Sequence, residues 1–221
     1  MTRARPWLSL IAPPVALAVS FVVAAVVLVA SGAATLETVG ARLQAAPAVP
    51  ASLGFVASLL VVTLFARREG RTLAALGWGR PSSTTIAIGV VATMLFMPLN
   101  TFVFFPLVHA ADPTFDPSAK ALSLLQAVML FGCAVVAEET TYRGYALLAL
   151  EERLGAVRAV IITSLAYALL APGPTWPPKV WALGFGLLAA ALRRWRGSLW
   201  PVALVHLSAS LAPKLLTGDS L

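Results

Sequence analysis

Residues 6–36 read PWLSLIAPPVALAVSFVVAAVVLVASGAATL, without one charged side chain. Lipid offers no partner to a backbone N–H or C=O, so a run of this kind crosses a bilayer only as a helix, and about 20 residues suffice. The same test along the 221-residue chain predicts about seven spans (six to eight). They fall near residues 7–30, 47–66, 84–108, 121–142, 159–171, 178–195 and 198–214. The expected fold class is all-α, a polytopic transmembrane helical bundle.

Composition points the same way. The chain is 59% apolar and 11% charged, with a mean hydropathy of +0.88, whereas a soluble domain carries roughly 25% charged residues. A soluble enzyme is excluded. The net charge of +7 would suggest nucleic acid in a soluble protein. Here the basic residues cluster between apolar runs and read as membrane-orienting charges, so no nucleic-acid partner is expected. With the N-terminus inside, only Arg42, Lys120, Lys179 and Lys214 fall on outer segments, and the rest of the 16 basic residues fall on inner ones. That bias predicts a cytoplasmic N-terminus and, with seven spans, an external C-terminus.

Local features refine the spans. Arg3 and Arg5 ahead of an apolar run, and the small residues of ASGAA, make residues 1–34 similar to a signal peptide. The run exceeds a usual h-region, so an uncleaved first span is expected. Pro13 and Pro14 should kink that helix or delay its start, and Pro172, Pro174, Pro177 and Pro178 should force a non-helical connection after the fifth span. Trp176, Trp181, Trp195 and Trp200 lie near span ends and read as interfacial anchors. Gly184 and Gly186 read as close helix packing. The single cysteine, Cys133, excludes a disulfide framework and any multi-cysteine metal site, and reads as a small packing residue.

Ionisable groups inside membrane helices are costly and mark function unless a partner accounts for them. After the apolar run LSLLQAVMLFGCAVVA come Glu138 and Glu139, with Arg143 four residues beyond Glu139. That spacing puts Glu139 and Arg143 on one helical face as an ion pair. Glu138 lies about 100° around the helix and is left for the bundle interior, where a carboxylate suits a general base. His206, about ten residues and roughly 15 Å past Arg196, falls deep in the last span, with Ser210 on the same face. His109, beside Asp112, reads as a polar interfacial residue. Neither a zincin H-E-x-x-H, nor a G-x-S-x-G elbow, nor a phosphate-binding loop is present.

The stretch EETTYRGYALLALEERLG (138–155) resembles the E-E-x-x-x-R motif of the CPBP family, the CAAX-protease and bacteriocin-processing intramembrane proteases. RAVIITSLAYALLA (158–171) and WALGFGLLAAALRRWRGSLWPVALVHLSAS (181–210) look like the family's second and third motif helices, in the same order, so the resemblance covers roughly residues 120–212. LAALGWGRP (73–81) resembles the segment before the family's core. The resemblance implies N-terminal transmembrane helices over 1–119 and a CPBP-like core over 120–214. It implies an intramembrane endopeptidase of CAAX-processing type acting on a membrane-associated or lipidated polypeptide, in a bacterial inner membrane.

Carried over by position, the resemblance makes Glu138 the base that activates water, Glu139 and Arg143 its supporting pair, and His206 the third-motif histidine. Three motif positions depart. The second motif's Phe and His positions are Tyr167 and Ala171, and the third motif's Asn position is Ser210. An alanine cannot orient water, hold metal or stabilise an oxyanion, whereas Ser210 can still donate one hydrogen bond. A zinc site generally needs three protein ligands, so with only Glu138 and His206 in motif positions a divalent metal is less expected than in complete members. The missing histidine also leaves open a degenerate homologue that binds a membrane partner as an accessory or immunity protein. A small transporter or channel is a third class. The depths of the three motif helices predict one shared cavity, opening toward the arginine-rich side.

Overall fold

The computed structural model describes residues 6–113, 122–171 and 175–216. Arg3, Arg5, Lys120, Pro172 and Pro174 lie outside them. Helices α1 (Pro6–Ala30), α2 (Val39–Ala45) and α3 (Ala48–Arg68) lead to a short π-helical turn at Ala74–Trp78. Helix α4 (Ser83–Leu99) runs through a π-helical stretch at Asn100–Phe104 into α5 (Phe105–Ala111), and α6 (Leu124–Glu138) runs through another at Glu139–Ala146 into α7 (Leu147–Leu154). Helices α8 (Ala156–Leu170), α9 (Trp176–Arg196) and α10 (Trp200–Leu216) follow. No strand occurs among the described residues.

Each of the seven apolar runs is helical, and the protein is a helical membrane bundle. Among the described residues, four helices are long and apolar enough to cross a bilayer: Trp7–Ala30, Ala48–Arg68, Ser83–Ala111 and Leu124–Leu154. Ala156–Leu170 is a shorter apolar helix. The fourth span does not stop near residue 142 but continues to Leu154. Its charged last turn finds partners, because Glu151 pairs with Arg194 at 3.1 Å and Glu152 with Arg71 at 2.7 Å.

Proline behaves differently from the expectation at two places. Pro177 and Pro178 form the first turn of α9 rather than a non-helical connection, because the first turn has no intrahelical use for their missing N–H groups. Helix α1 passes through Pro13 and Pro14 unbroken. Pro14 cannot donate to the Leu10 carbonyl, and the Tyr142 hydroxyl donates to it instead at 3.3 Å.

One end of the bundle is closed by charge and by a strap. Arg71, Glu69, Glu151, Glu152 and Arg194 meet there. The chain at Gly77–Gly79 crosses the same end: Leu199 N–H donates to Gly77 O at 3.0 Å and the Trp200 indole N–H to Gly79 O at 2.8 Å. The Trp78 indole N–H reaches Thr140 Oγ1 at 2.7 Å, tying the strap to the motif helix. Gly77 holds φ +109°, and a Cβ there would lie 3.0 Å from Arg193 Nε, so only glycine fits the turn. At the opposite end the Thr175 hydroxyl donates to Asp112, and Lys179 Nζ donates to the carbonyls of Leu169 and Ala171, each at 3.1 Å.

Close helix contacts bring the motif helices together. A Cβ on Gly54 of α3 would sit 2.7 Å from the Leu17 Cα of α1. A Cβ on Gly186 of α9 would sit 3.1 Å from the Ser164 Cα of α8 and 3.4 Å from Arg143 Nη2, whereas Gly184 has nothing within 4 Å. The packing reading therefore holds for Gly186 and not for Gly184. Gly186→Ala should cost about 1–3 kcal/mol through overpacking and lower the thermal unfolding midpoint in detergent, while Gly184→Ala should leave that midpoint unchanged.

Candidate active site

Glu138 closes α6 and Glu139 opens the π-helical stretch. Thr140 Oγ1 donates back to Val136 O at 2.5 Å, a side-chain competitor for backbone bonding at the point where the helix widens. Such π segments recur at functional sites because they re-aim side chains within a continuous helix. Here the result is a division between two adjacent carboxylates.

Glu139 and Arg143 are fully buried and pair at 3.3 Å. A buried ion pair needs further hydrogen bonds to offset its desolvation, and the pair has a third member. His206 Nδ1 lies 2.7 Å from Glu139 Oε1, the same oxygen that Arg143 engages. The arginine alone does not account for Glu139, as the i,i+4 spacing suggested. The other face of the guanidinium covers the Tyr167 ring, with Arg143 Cζ 4.2 Å from its centroid.

This network fixes the histidine. The ion-paired Glu139 carboxylate can only accept, so the Nδ1 of His206 carries the hydrogen and a neutral ring presents Nε2 as an acceptor. Nε2 faces the Tyr167 hydroxyl at 3.3 Å and Glu138 Oε2 at 3.8 Å. The Glu139 side chain is 0% exposed, whereas that of Glu138 retains 19%. Glu138 is therefore the carboxylate that a reactant can reach.

The space it faces is apolar. A cavity of about 370 Å³ is lined by Glu138, Tyr167, Ala171, His206 and Ser210 together with side chains such as Leu17, Phe55, Phe131 and Trp181. A second, of about 430 Å³, shares Leu17, Phe55, Glu138, Tyr167 and Ala171 and is walled by Pro13, Pro14 and Phe21 of α1. Both are of the size that takes an organic ligand. The expected shared cavity of the three motif helices is present, but it does not open toward the arginine-rich side. Its lining comes from the first half of α3 (Ala51, Phe55), from α5 (Val108), from the start of α9 (Pro178) and from the end of α10 (Pro213). The strap and the ion pairs close the other end.

The structure thus brings Glu138, Glu139, Arg143, Tyr167, His206 and Ser210 into one site. Ser210 lies one turn beyond His206 and donates its hydroxyl hydrogen to the His206 carbonyl at 2.9 Å. His109 is exposed on α5 and does not line the cavity. Trp181 is not an interfacial anchor: its N–H bonds Asn100 Oδ1 at 2.8 Å, and its ring stacks on Phe185 with centroids 5.7 Å apart. Asn100 is fully buried, so its amide oxygen draws the indole inward, while its Nδ2 has no hydrogen-bond partner. Trp200 also turns its N–H inward, to Gly79, while Trp176 and Trp195 are exposed as expected.

The donors do not fit a metal ion. His206 spends Nδ1 on Glu139, Glu139 is held by Arg143, and the second-motif histidine position is Ala171. Among the described residues no group of three His, Cys, Asp or Glu is arranged to hold one. Sequence reasoning missed the Glu139–His206 contact because 67 positions separate the partners. The available signal was the depth of His206, which matched that of the glutamate-bearing helix.

Residues 120–212 match the family model described as type II CAAX prenyl endopeptidase, Rce1-like. No curated protein and no solved structure matches the chain. The matched stretch begins just before α6, includes every residue of the cluster around Glu138, and ends within α10. The cluster formed by a buried ion pair, its histidine and an accessible carboxylate thus falls within the matched stretch: residues 120–212 of this membrane protein are similar to the Rce1-like type II CAAX prenyl endopeptidases.

Proposed function

We propose that the protein is an intramembrane endopeptidase of CAAX-processing type, which hydrolyses a peptide bond in a membrane-associated or lipidated polypeptide through water activated by Glu138. The observation that carries this reading is the unequal setting of the two adjacent glutamates: Glu139 is sealed against Arg143 and His206, while Glu138 opens on an apolar cavity within 3.8 Å of His206 Nε2. A carboxylate beside a bare imidazole nitrogen can take a proton from water and return it to a leaving amine. Glu139 and Arg143 hold the tautomer and orientation of His206, as the carboxylate does in a Ser-His-Asp arrangement. Ser210 flanks the cavity and must release the His206 carbonyl before donating to a substrate.

The apolar lining favours a substrate that arrives from the bilayer. In our reading the arginine-rich end faces the cytoplasm of a bacterial cell, following the distribution of basic residues, and no metal takes part. Chelation with 1,10-phenanthroline should then leave cleavage unchanged.

Mass spectrometry of membrane-protein termini in the host tests the function without a guessed substrate. Wild type, a deletion strain and a Glu138→Ala strain should be compared. A terminus lost in both altered strains, with the variant protein still accumulating, is the expected result. A deletion effect that Glu138→Ala fails to reproduce would make the chain a binding protein instead. Arg143→Met should act through stability, because it strands a buried carboxylate at a cost of about 3–5 kcal/mol. A sharply lowered thermal midpoint and poor accumulation are expected.

A further inference from the structure

The proposed hydrolysis needs a hydrogen-bond donor for the oxygen that gains charge when water attacks a carbonyl. The second motif carries Ala171 in place of a histidine, and a methyl group supplies none. Among the described residues lining the two cavities, the other side-chain donors each line only one of the two, and each has an acceptor within the protein. The Trp181 N–H is held by Asn100, His206 Nδ1–H by Glu139, the Ser210 hydroxyl by the His206 carbonyl and the Tyr142 hydroxyl by the Leu10 carbonyl.

Tyr167 differs. It alone among these donors lines both cavities, and its hydroxyl rests against His206 Nε2 at 3.3 Å, as long as the Tyr142–Leu10 bond and longer than the usual O–H hydrogen bond of about 2.7–3.0 Å. Its ring is held firmly: Arg143 covers one face at 4.2 Å, and Tyr142 and His206 meet it edge-on with centroids at 5.4 Å and 6.1 Å. The oxygen is fixed, and its hydrogen can turn about the C–O bond between His206 Nε2 and the Glu138 carboxylate.

We propose that the Tyr167 hydroxyl is the catalytic donor that stabilises the oxyanion in this chain, taking over a role left vacant at Ala171. The proposal rests on the proteolytic reading above. In the step, the water oxygen bonds to the carbonyl carbon and its proton passes to Glu138. The C=O electron pair moves onto the oxygen, where the Tyr167 O–H turns from Nε2 to meet it. Collapse restores C=O, breaks C–N, and the proton on Glu138 passes to the leaving nitrogen. The products are an acid and an amine, and Glu138 is regenerated.

The test uses the full-length protein in lipid nanodiscs and a synthetic peptide spanning a junction whose cleavage in the host depends on Glu138. Tyr167→Phe removes one oxygen and keeps the ring against Arg143. It should lower kcat by about 10²- to 10³-fold, with KM little changed and the thermal midpoint near wild type. Tyr167→Phe/Ala171→His, which places an imidazole on the wall shared by both cavities, should recover at least roughly tenfold of that loss, as a replacement donor would. Tyr167→Phe with wild-type kcat per folded molecule, while Glu138→Ala is inactive, overturns the role of the hydroxyl and leaves the protease intact. If no junction depends on Glu138, the proteolytic reading falls and the Tyr167 role falls with it.

Discussion

The buried contact among Glu139, Arg143 and His206 is the constraint on which the rest of the site depends. Two charges removed from water need further hydrogen bonds, and here α10 meets the helix that carries Glu139 and Arg143 so that His206 adds one to Glu139 Oε1, while Glu139 Oε2 and Arg143 Nη2 have no hydrogen-bond partner. The Glu139–His206 contact of 2.7 Å therefore joins two helices at the 3.3 Å Arg143–Glu139 pair. Gly186, which lets α9 approach α8 beside the Arg143 guanidinium, belongs to the same requirement. So does the strap at Trp78, which reaches Thr140 one residue beyond Glu139.

With Glu139 occupied, its neighbour acquires a different fate. One residue along a helix is about 100° of rotation, enough to turn Glu138 from the sealed pair to the cavity. Two identical side chains, adjacent in sequence, so become one sealed group and one that faces the cavity. The cavity beyond them is apolar and walled on one side by α1, whose proline-freed carbonyl at Leu10 is bonded by Tyr142 from the motif helix. The N-terminal helix is thus part of the site as well as a membrane anchor.

Much of this was legible from residue order. Lipid permits only uncharged helical runs, so the spans were readable wherever charge was absent, and the Glu139–Arg143 pair followed from helical spacing. What escaped was tertiary. Glu151 and Glu152 fell beyond the expected end of the fourth span near residue 142, yet the helix continues through them because Arg194 and Arg71 lie beside them. Trp181 looked like an anchor because it lies near a span end, yet the buried Asn100 amide, 81 positions away, draws it inward. The opening of the cavity away from the arginines depends on the strap, whose bonds to Leu199 and Trp200 no periodicity reveals.

The division of labour between the two glutamates is the central claim, and a side-by-side comparison of Glu138→Gln and Glu139→Gln, reading cleavage per folded molecule together with thermal midpoint, tests it most directly. The account predicts that Glu138→Gln keeps the wild-type midpoint and loses cleavage by about 10²- to 10⁴-fold, the usual contribution of a general base. It predicts that Glu139→Gln melts well below wild type, because the buried Arg143 charge is left without its carboxylate. A Glu138→Gln protein that still cleaves, or a Glu139→Gln protein as stable as wild type, would contradict it.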